Sequence, residues 1–235
     1  MTDYNNKGLS GAALKGIAAG TMLIDHVGAI LFPAFGVVAF GRFWPVLRII
    51  GRLAFPIYAF LIAEGVAHTK NIKKYELRML LLALVSEPIY DLVMHGSILE
   101  FTNQNILFTM LIGILTLHAG RWARLSGKGY LSYVIAAAGC FLAEALHCDY
   151  GIGGILTILI FSNQFLSEEE LPMKLLFMAM VHMVLYGSIQ GFAAFAAIPI
   201  WLYNGERGYN TPLVKWGFYL FYPIHLLLLW ACVSL

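Results

Sequence analysis

From residue 12 to residue 234 the chain is a succession of apolar runs, most of them near the length that crosses a bilayer, joined by short polar stretches. Nothing constrains its fold more. In hydrocarbon a backbone must satisfy its own N–H and C=O groups, so long apolar runs of this kind are helical. With a mean hydropathy of +0.77, 60% hydrophobic residues and only 12% charged ones, the chain lies far outside the range of soluble globular domains. The expectation is an all-α integral membrane protein, a single polytopic bundle of eight or nine transmembrane helices forming one domain over residues 1–235.

The runs fall at 12–33, 47–67, 76–95, 105–121, 130–147, 151–166, 173–187, 191–203 and 215–234. The sixth to eighth are short for a crossing of about 20 residues, so tilted, half-inserted or merged spans are expected there. The opening dozen residues, MTDYNNKGLSGA, are too polar for a signal peptide, and the first helix is expected to insert by itself. Alternation across nine spans assigns Lys70, Lys73, Lys74, Arg78, Arg121, Arg124 and Lys128 to one side, together with Lys7, Lys15, Lys174, Arg207 and Lys215. Only Arg42, Arg48 and Arg52 fall toward the other. The positive-inside rule makes the richer side cytoplasmic and puts the amino terminus inside, despite the acidic SEEELP loop at 167–172 on that side. A net charge of +2 points to no nucleic-acid partner, and three cysteines without a CxxC signal neither a zinc site nor a complete disulfide framework.

Against this apolar background the ionisable residues stand out. A charge at the centre of a bilayer helix is disfavoured by roughly 2.5 to 3.5 kcal/mol on insertion scales, so intramembrane charges mark functional sites. LKGIAAGTMLIDHVGAILF, residues 14–32, carries Lys15, Asp25 and His26. Lys15 and His26 are eleven residues apart, which places them on one helix face, roughly 16 Å apart along the axis. Arg48 and Arg52, and again Glu87 and Asp91, are one turn apart on their helices. Depth counting leaves Lys15 at the cytoplasmic mouth and brings Asp25, His26, Arg48, Arg52, Glu87 and Asp91 to a common level with Asn105, His182 and His225. A buried ion-pair network that merely fixes helix register is the competing reading, and it does not call for titratable imidazoles.

The passages LKGIAAGTMLIDHVG, RIIGRLAFPIYAFLIAEG, HTKNIKKYELRMLL, NQNILFT, DYGIGG, LYNGERG and FYLFYPIH, taken in that order, resemble the TraX family over nearly the whole chain. SEPIYD at 86–91 departs from the family pattern in the place of its proline, while Asp91 keeps its spacing from Glu87. The first helix is also similar to that of the broader transmembrane acyltransferases, in which a basic residue, ten further residues and a histidine form the signature. Here these are Lys15 and His26. The resemblance implies a multi-pass protein of the bacterial inner membrane. It also implies transfer of an acetyl group from cytosolic acetyl-CoA, with the amino terminus of conjugative pilin as the acceptor of the family's namesake.

Acyl transfer to an amine or hydroxyl needs a base for the nucleophile's proton, and histidine has the natural pKa for it. His26 is the candidate base. Asp25, its neighbour, points about 100° away around the helix and is expected to pair with Arg48 or Arg52, leaving Glu87 or His225 to address His26. The arginines or Asn105 are candidate donors to a developing oxyanion. Lys15 is the candidate contact for the phosphates of acetyl-CoA, and Asp91 and Tyr222 complete the candidate binding set. No metal is expected, since no HExxH occurs. His68, His95, His118 and His147 read as interfacial residues at helix ends, and IAAAGC at 135–140 as a packing face. GIGG at 151–154 reads as a tight turn. The alternatives are a small proton-coupled transporter that uses Asp25, Glu87 and the histidines as a relay, and a non-catalytic assembly factor for a pilus or envelope machine. The residues do not name the acceptor: a peptide, a glycan and a small metabolite all remain open.

Overall fold

The structure, a computed structural model, describes residues 8–35, 43–166 and 170–234. Lys7, Arg42 and residues 167–169 of the SEEELP loop, which entered the charge count, lie outside the described residues. So do the first seven residues of the polar amino terminus.

The helices are α1 (Gly11–His26), continued by a π-helical stretch over Val27–Leu31 and by α2 (Phe32–Phe35), then α3 (Trp44–Gly51), α4 (Ala54–His68), α5 (Ile72–His95) and α6 (Ile106–Leu125). They continue with α7 (Leu131–Ala145), α8 (Gly151–Phe161) and α9 (Leu171–Tyr186), a 3₁₀ helix (Gln190–Ala196), α10 (Ala197–Trp201) and α11 (Pro212–Ser234). Among the described residues there is no strand, only the isolated bridges Leu9 to Tyr203 and Gln104 to Cys148.

Among the described residues, four helical segments are long and apolar enough to cross a membrane: Gly11–Phe35, Trp44–His68, Ile106–Leu125 and Pro212–Ser234. The described residues also include four shorter apolar helices: Leu131–Ala145, Gly151–Phe161, Leu171–Tyr186 and Gln190–Trp201. At 1.5 Å per residue, the eleven residues of α8 extend about 16 Å, half a hydrocarbon core.

Prolines explain where the expected spans break. Pro56 has no N–H for the carbonyl of Arg52 and its ring crowds that group, so the run 47–67 divides at Arg52 and Leu53 into α3 and α4. Pro33 likewise deprives Ala29 of its α-helical donor, and the helix is widened to π geometry over Val27–Leu31, directly after His26. GIGG is not a turn. Gly151 to Gly154 form the first turn of α8, and the chain reverses just before it, where His147 and Tyr150 take positive φ of 51° and 62°.

Contacts divide the chain into two compact units, Met1–Tyr58 with His182–Leu235, and Ala59–Val181. The boundaries fall inside α4 and α9. In the first unit α1 packs on α3 and α11, and the π stretch packs on α11. The start of α1 is laced to the loop 202–208: Leu9 N–H donates to the Leu202 carbonyl (2.7 Å), Gly11 N–H to Glu206 (2.8 Å) and Ala12 N–H to Arg207 (3.0 Å). Ser10 Oγ accepts from Ala13 N–H (3.3 Å). The amides that a helix leaves unpaired at its amino end are thus met by loop carbonyls and a cap.

In the second unit α6 is central, packed by α5, α7 and α8. Lipid tails are as apolar as leucine, so helix association there depends on close packing rather than on the hydrophobic effect. Small residues supply it. A Cβ at Gly113 would overlap Ile158, one at Gly120 would overlap Gln164, and one at Gly139, in the IAAAGC face, would overlap Thr116. His118 lies inside α6 rather than at its end, and its Nδ1 pairs with Glu76 Oε1 at 2.6 Å.

Gly139→Leu is expected to lower the melting temperature of the detergent-solubilised protein, the equivalent of about 1–3 kcal/mol of overpacking. Gly20→Ala, where nothing lies within 4 Å of the new carbon, is expected to leave it unchanged or raised.

Candidate functional site

The polar residues of the first unit converge where α1 ends. Asp25 continues the buried stripe Gly11, Leu14 and Ala18 of α1 and faces α3. Its carboxylate takes Arg48 Nη1 at 2.9 Å on Oδ2 and Arg52 Nη2 at 2.5 Å on Oδ1. Two guanidinium groups hold one carboxylate. Close approach of the backbones makes this possible: a Cβ on Gly51 would collide with the Asp25 side chain, and one on Gly28 would press on Leu47.

Arg52 is fixed on three sides, since its Nε donates to the Arg48 carbonyl (3.0 Å) and its Nη1 to Gln190 Oε1 (2.8 Å). Gln190 Nε2 in turn lies 3.3 Å from Nδ1 of His182, which is fully buried. Arg48 Nη1 also reaches the main-chain carbonyl of Asp25 (3.4 Å), at the junction where α geometry passes into π.

The neighbouring residue, His26, turns away from this clamp toward α11. Its Nδ1 lies 2.6 Å from Nε2 of His225, with the ring planes 11° apart. His225 Nδ1 lies 2.7 Å from the carbonyl of Phe221, one turn earlier on the same helix. These contacts fix the protons. A carbonyl only accepts, so His225 Nδ1 carries the hydrogen, and in a neutral ring Nε2 is then an acceptor. His26 Nδ1 must therefore be the donor, and the lone pair of His26 lies on Nε2. That nitrogen has no hydrogen-bond partner among the described residues. Tyr222 and His225 are buried behind the half-buried His26, and Tyr222 stands edge-on to both imidazoles, with ring centroids 6.4 and 5.8 Å away.

Lys15 is half-buried, three turns below His26 on the same face of α1.

Glu87, Asp91 and Asn105 belong to the second unit and form a cluster of their own. Glu87 Oε2 accepts from Asn105 N–H (3.0 Å) and from Asn105 Nδ2. The amide also donates to the Ala83 carbonyl (3.1 Å), and Asn105 Oδ1 caps α6 by accepting from Leu107 N–H (2.9 Å). Both amide hydrogens are engaged, so donation to an oxyanion would require one of these bonds to break. Asp91 Oδ2 accepts from Glu100 N–H (3.0 Å) and holds the loop after α5, while Ser86 Oγ, Glu87 Oε1 and Asp91 Oδ1 are buried without a hydrogen-bond partner among the described residues.

Gln190 was not among the expected site residues. Its signal in the sequence is a single polar side chain in the otherwise apolar run from Ile189 to Trp201.

Long apolar helices and a half-buried cluster of arginines, aspartate and imidazoles define a helical membrane protein with ionisable groups set in its helices. The family model described as TraX protein matches residues 10–233, and the chain belongs to the TraX family. It is similar to the "Probable fimbrial assembly protein FimC, serogroup H1" of Dichelobacter nodosus, with 29% identity over 245 residues, 95% of this chain and 96% of the relative. No solved structure matches.

Asp25→Asn is expected to destabilise the protein by about 3 kcal/mol, since it leaves two guanidinium groups facing a neutral amide. Gly51→Ala should lower the melting temperature as well, by displacing the same carboxylate. Thermal unfolding of both variants in one detergent checks this, with Gly20→Ala as the control.

Proposed function

We propose that this protein is a membrane-embedded acetyltransferase that moves an acetyl group from cytosolic acetyl-CoA to an amine or hydroxyl of a membrane or extracytoplasmic acceptor, with His26 as general base. The observation that carries the reading is the string from the Phe221 carbonyl through His225 to His26, which leaves an unprotonated Nε2 with no hydrogen-bond partner among the described residues. A base must present a lone pair, and here the tautomer that presents it is selected by the neighbouring ring. His225 acts as a positioning residue: it accepts the Nδ1 hydrogen and can stabilise the imidazolium that forms when Nε2 takes the nucleophile's proton. On acetyl transfer the nucleophile's bond to the carbonyl carbon forms and the carbon–sulfur bond breaks. The proton held on His26 is then available to the departing thiolate of coenzyme A.

Arg48 and Arg52, beside His26, supply positive charge for the oxyanion, and Lys15 supplies it for the phosphates of the donor. Membership in the TraX family supports the assignment to the bacterial inner membrane and makes a pilin-like peptide the first acceptor to test. The relative's printed name, a fimbrial assembly protein, agrees with that choice. Glu87 and Asp91 have no part in the proposed step.

A proton relay, the transporter reading, is less well supported. Between Asp25 and His182 stand a guanidinium and a carboxamide, and neither passes a proton at physiological pH.

Purified protein in lipid nanodiscs should be stabilised by acetyl-CoA through mass action, and Lys15→Ala should weaken that stabilisation. His26→Ala should keep it while turnover falls by a factor on the order of 10² to 10⁴. Near-normal transfer by His26→Ala would refute the mechanism. The orientation is checked separately: a reporter fused after Lys74 should read cytoplasmic and one fused after Glu100 external, and the same side for both would overturn the proposed topology.

A further inference from the structure

Gln190 is the first residue of the 3₁₀ helix and is 6% exposed. A buried carboxamide in an apolar run is disfavoured unless its hydrogen bonds are made. Here the two ends face groups of opposite demand. Arg52 only donates, which fixes Oε1 toward it at 2.8 Å, and Nε2 then faces His182 Nδ1 at 3.3 Å, which must accept. No other natural side chain of this length offers an acceptor to a guanidinium and a donor to an imidazole nitrogen together: glutamate would lose the donor, methionine both.

The consequence runs through Arg52. With Nη1 on Gln190, Nε on the Arg48 carbonyl and Nη2 on Asp25, three nitrogens of one rigid plane meet three acceptors from three elements, and the guanidinium cannot rotate without breaking a bond. That plane aims Nη2 at Asp25 Oδ1, and Asp25 is the residue before His26, at the last turn of α1 before the π stretch.

We propose that Gln190 is a positioning residue which, through Arg52 and Asp25, sets the orientation in which α1 delivers His26 to His225. The inference rests on the reading of His26 as the base, and its effect is read at His26 itself. Gln190 touches no reacting atom. The 3₁₀ helix thus takes part in the site from a distance, and a change confined to it alters the base.

The test is the rate at which diethyl pyrocarbonate modifies His26 in the full chain in nanodiscs, followed by peptide mass spectrometry across pH 5 to 8. Gln190→Met keeps the volume and removes both bonds, and the His26 rate should fall by roughly fivefold or more, with the melting temperature and acetyl-CoA binding recorded beside it. Gln190→Glu keeps the acceptor for Arg52 and should restore the rate to within about twofold of the original, which a loss of packing alone would not do. Arg52→Lys, which cannot hold the three bonds, should behave like Gln190→Met, and combining the two should add little. An unchanged His26 rate in Gln190→Met overturns the proposal, as does a Gln190→Glu rate as low as that of Gln190→Met. If Gln190→Met does not fold, Gln190→Glu and Arg52→Lys decide: the proposal falls if Arg52→Lys leaves the His26 rate unchanged. Failure of the unaltered protein to bind acetyl-CoA would instead remove the acyltransferase reading, and the reactivity comparison would still decide the role of Gln190.

Discussion

A carboxylate placed in an apolar helix must be compensated, and Asp25 is compensated twice. The rest of the first unit follows from this requirement. For Arg48 and Arg52 to reach one carboxylate from one helix they must be a turn apart, and α3 must come so close to α1 that only glycine fits at position 51. Pro56 then ends that helical stretch at Arg52, which frees the guanidinium to bridge toward the 3₁₀ helix. Removing the carboxylate would leave two half-buried cations unpaired by it, so the clamp keeps its place even where replacement by apolar residues of equal volume would be as stable.

The clamp also explains why the two adjacent polar residues of α1 do different work. Successive residues diverge by about 100° around a helix. With Asp25 committed to α3, His26 is turned toward α11, where FYPIH supplies both an aromatic wall and a second imidazole. The electrostatic group stays fixed while its neighbour carries the titratable lone pair. Such a division suits acyl transfer, in which fixed charge and a mobile proton are both needed.

Much of this arrangement is legible in the sequence. Run lengths give the all-helical membrane class, and the 3.6-residue period sets Arg48 and Arg52 one turn apart and turns His26 away from Asp25; the expected pairing of Asp25 with Arg48 or Arg52 is met by both. His225 was one of two partners open to His26, and only the packing of α11 distinguishes it from Glu87. Glu87 and Asn105 satisfy each other at the start of α6, an amino-terminal cap that depends on where the loop after α5 returns. The pairing of His118 with Glu76, 42 residues earlier, leaves no local signal. The division of the run 47–67 is written in Pro56, and GIGG reads as a turn only until the positive φ is seen to fall on His147, Tyr150 and Gly151, with Gly151 opening the helix.

The central claim is a protonation pattern, and nitrogen-15 NMR of the histidine-labelled protein in nanodiscs at neutral pH measures it directly, with single-histidine variants for assignment. The account predicts that His26 and His225 are both neutral with the hydrogen on Nδ1, so that each shows a pyrrole-type Nδ1 and a pyridine-type Nε2. A His26 ring protonated on Nε2, alone or together with Nδ1, would contradict it.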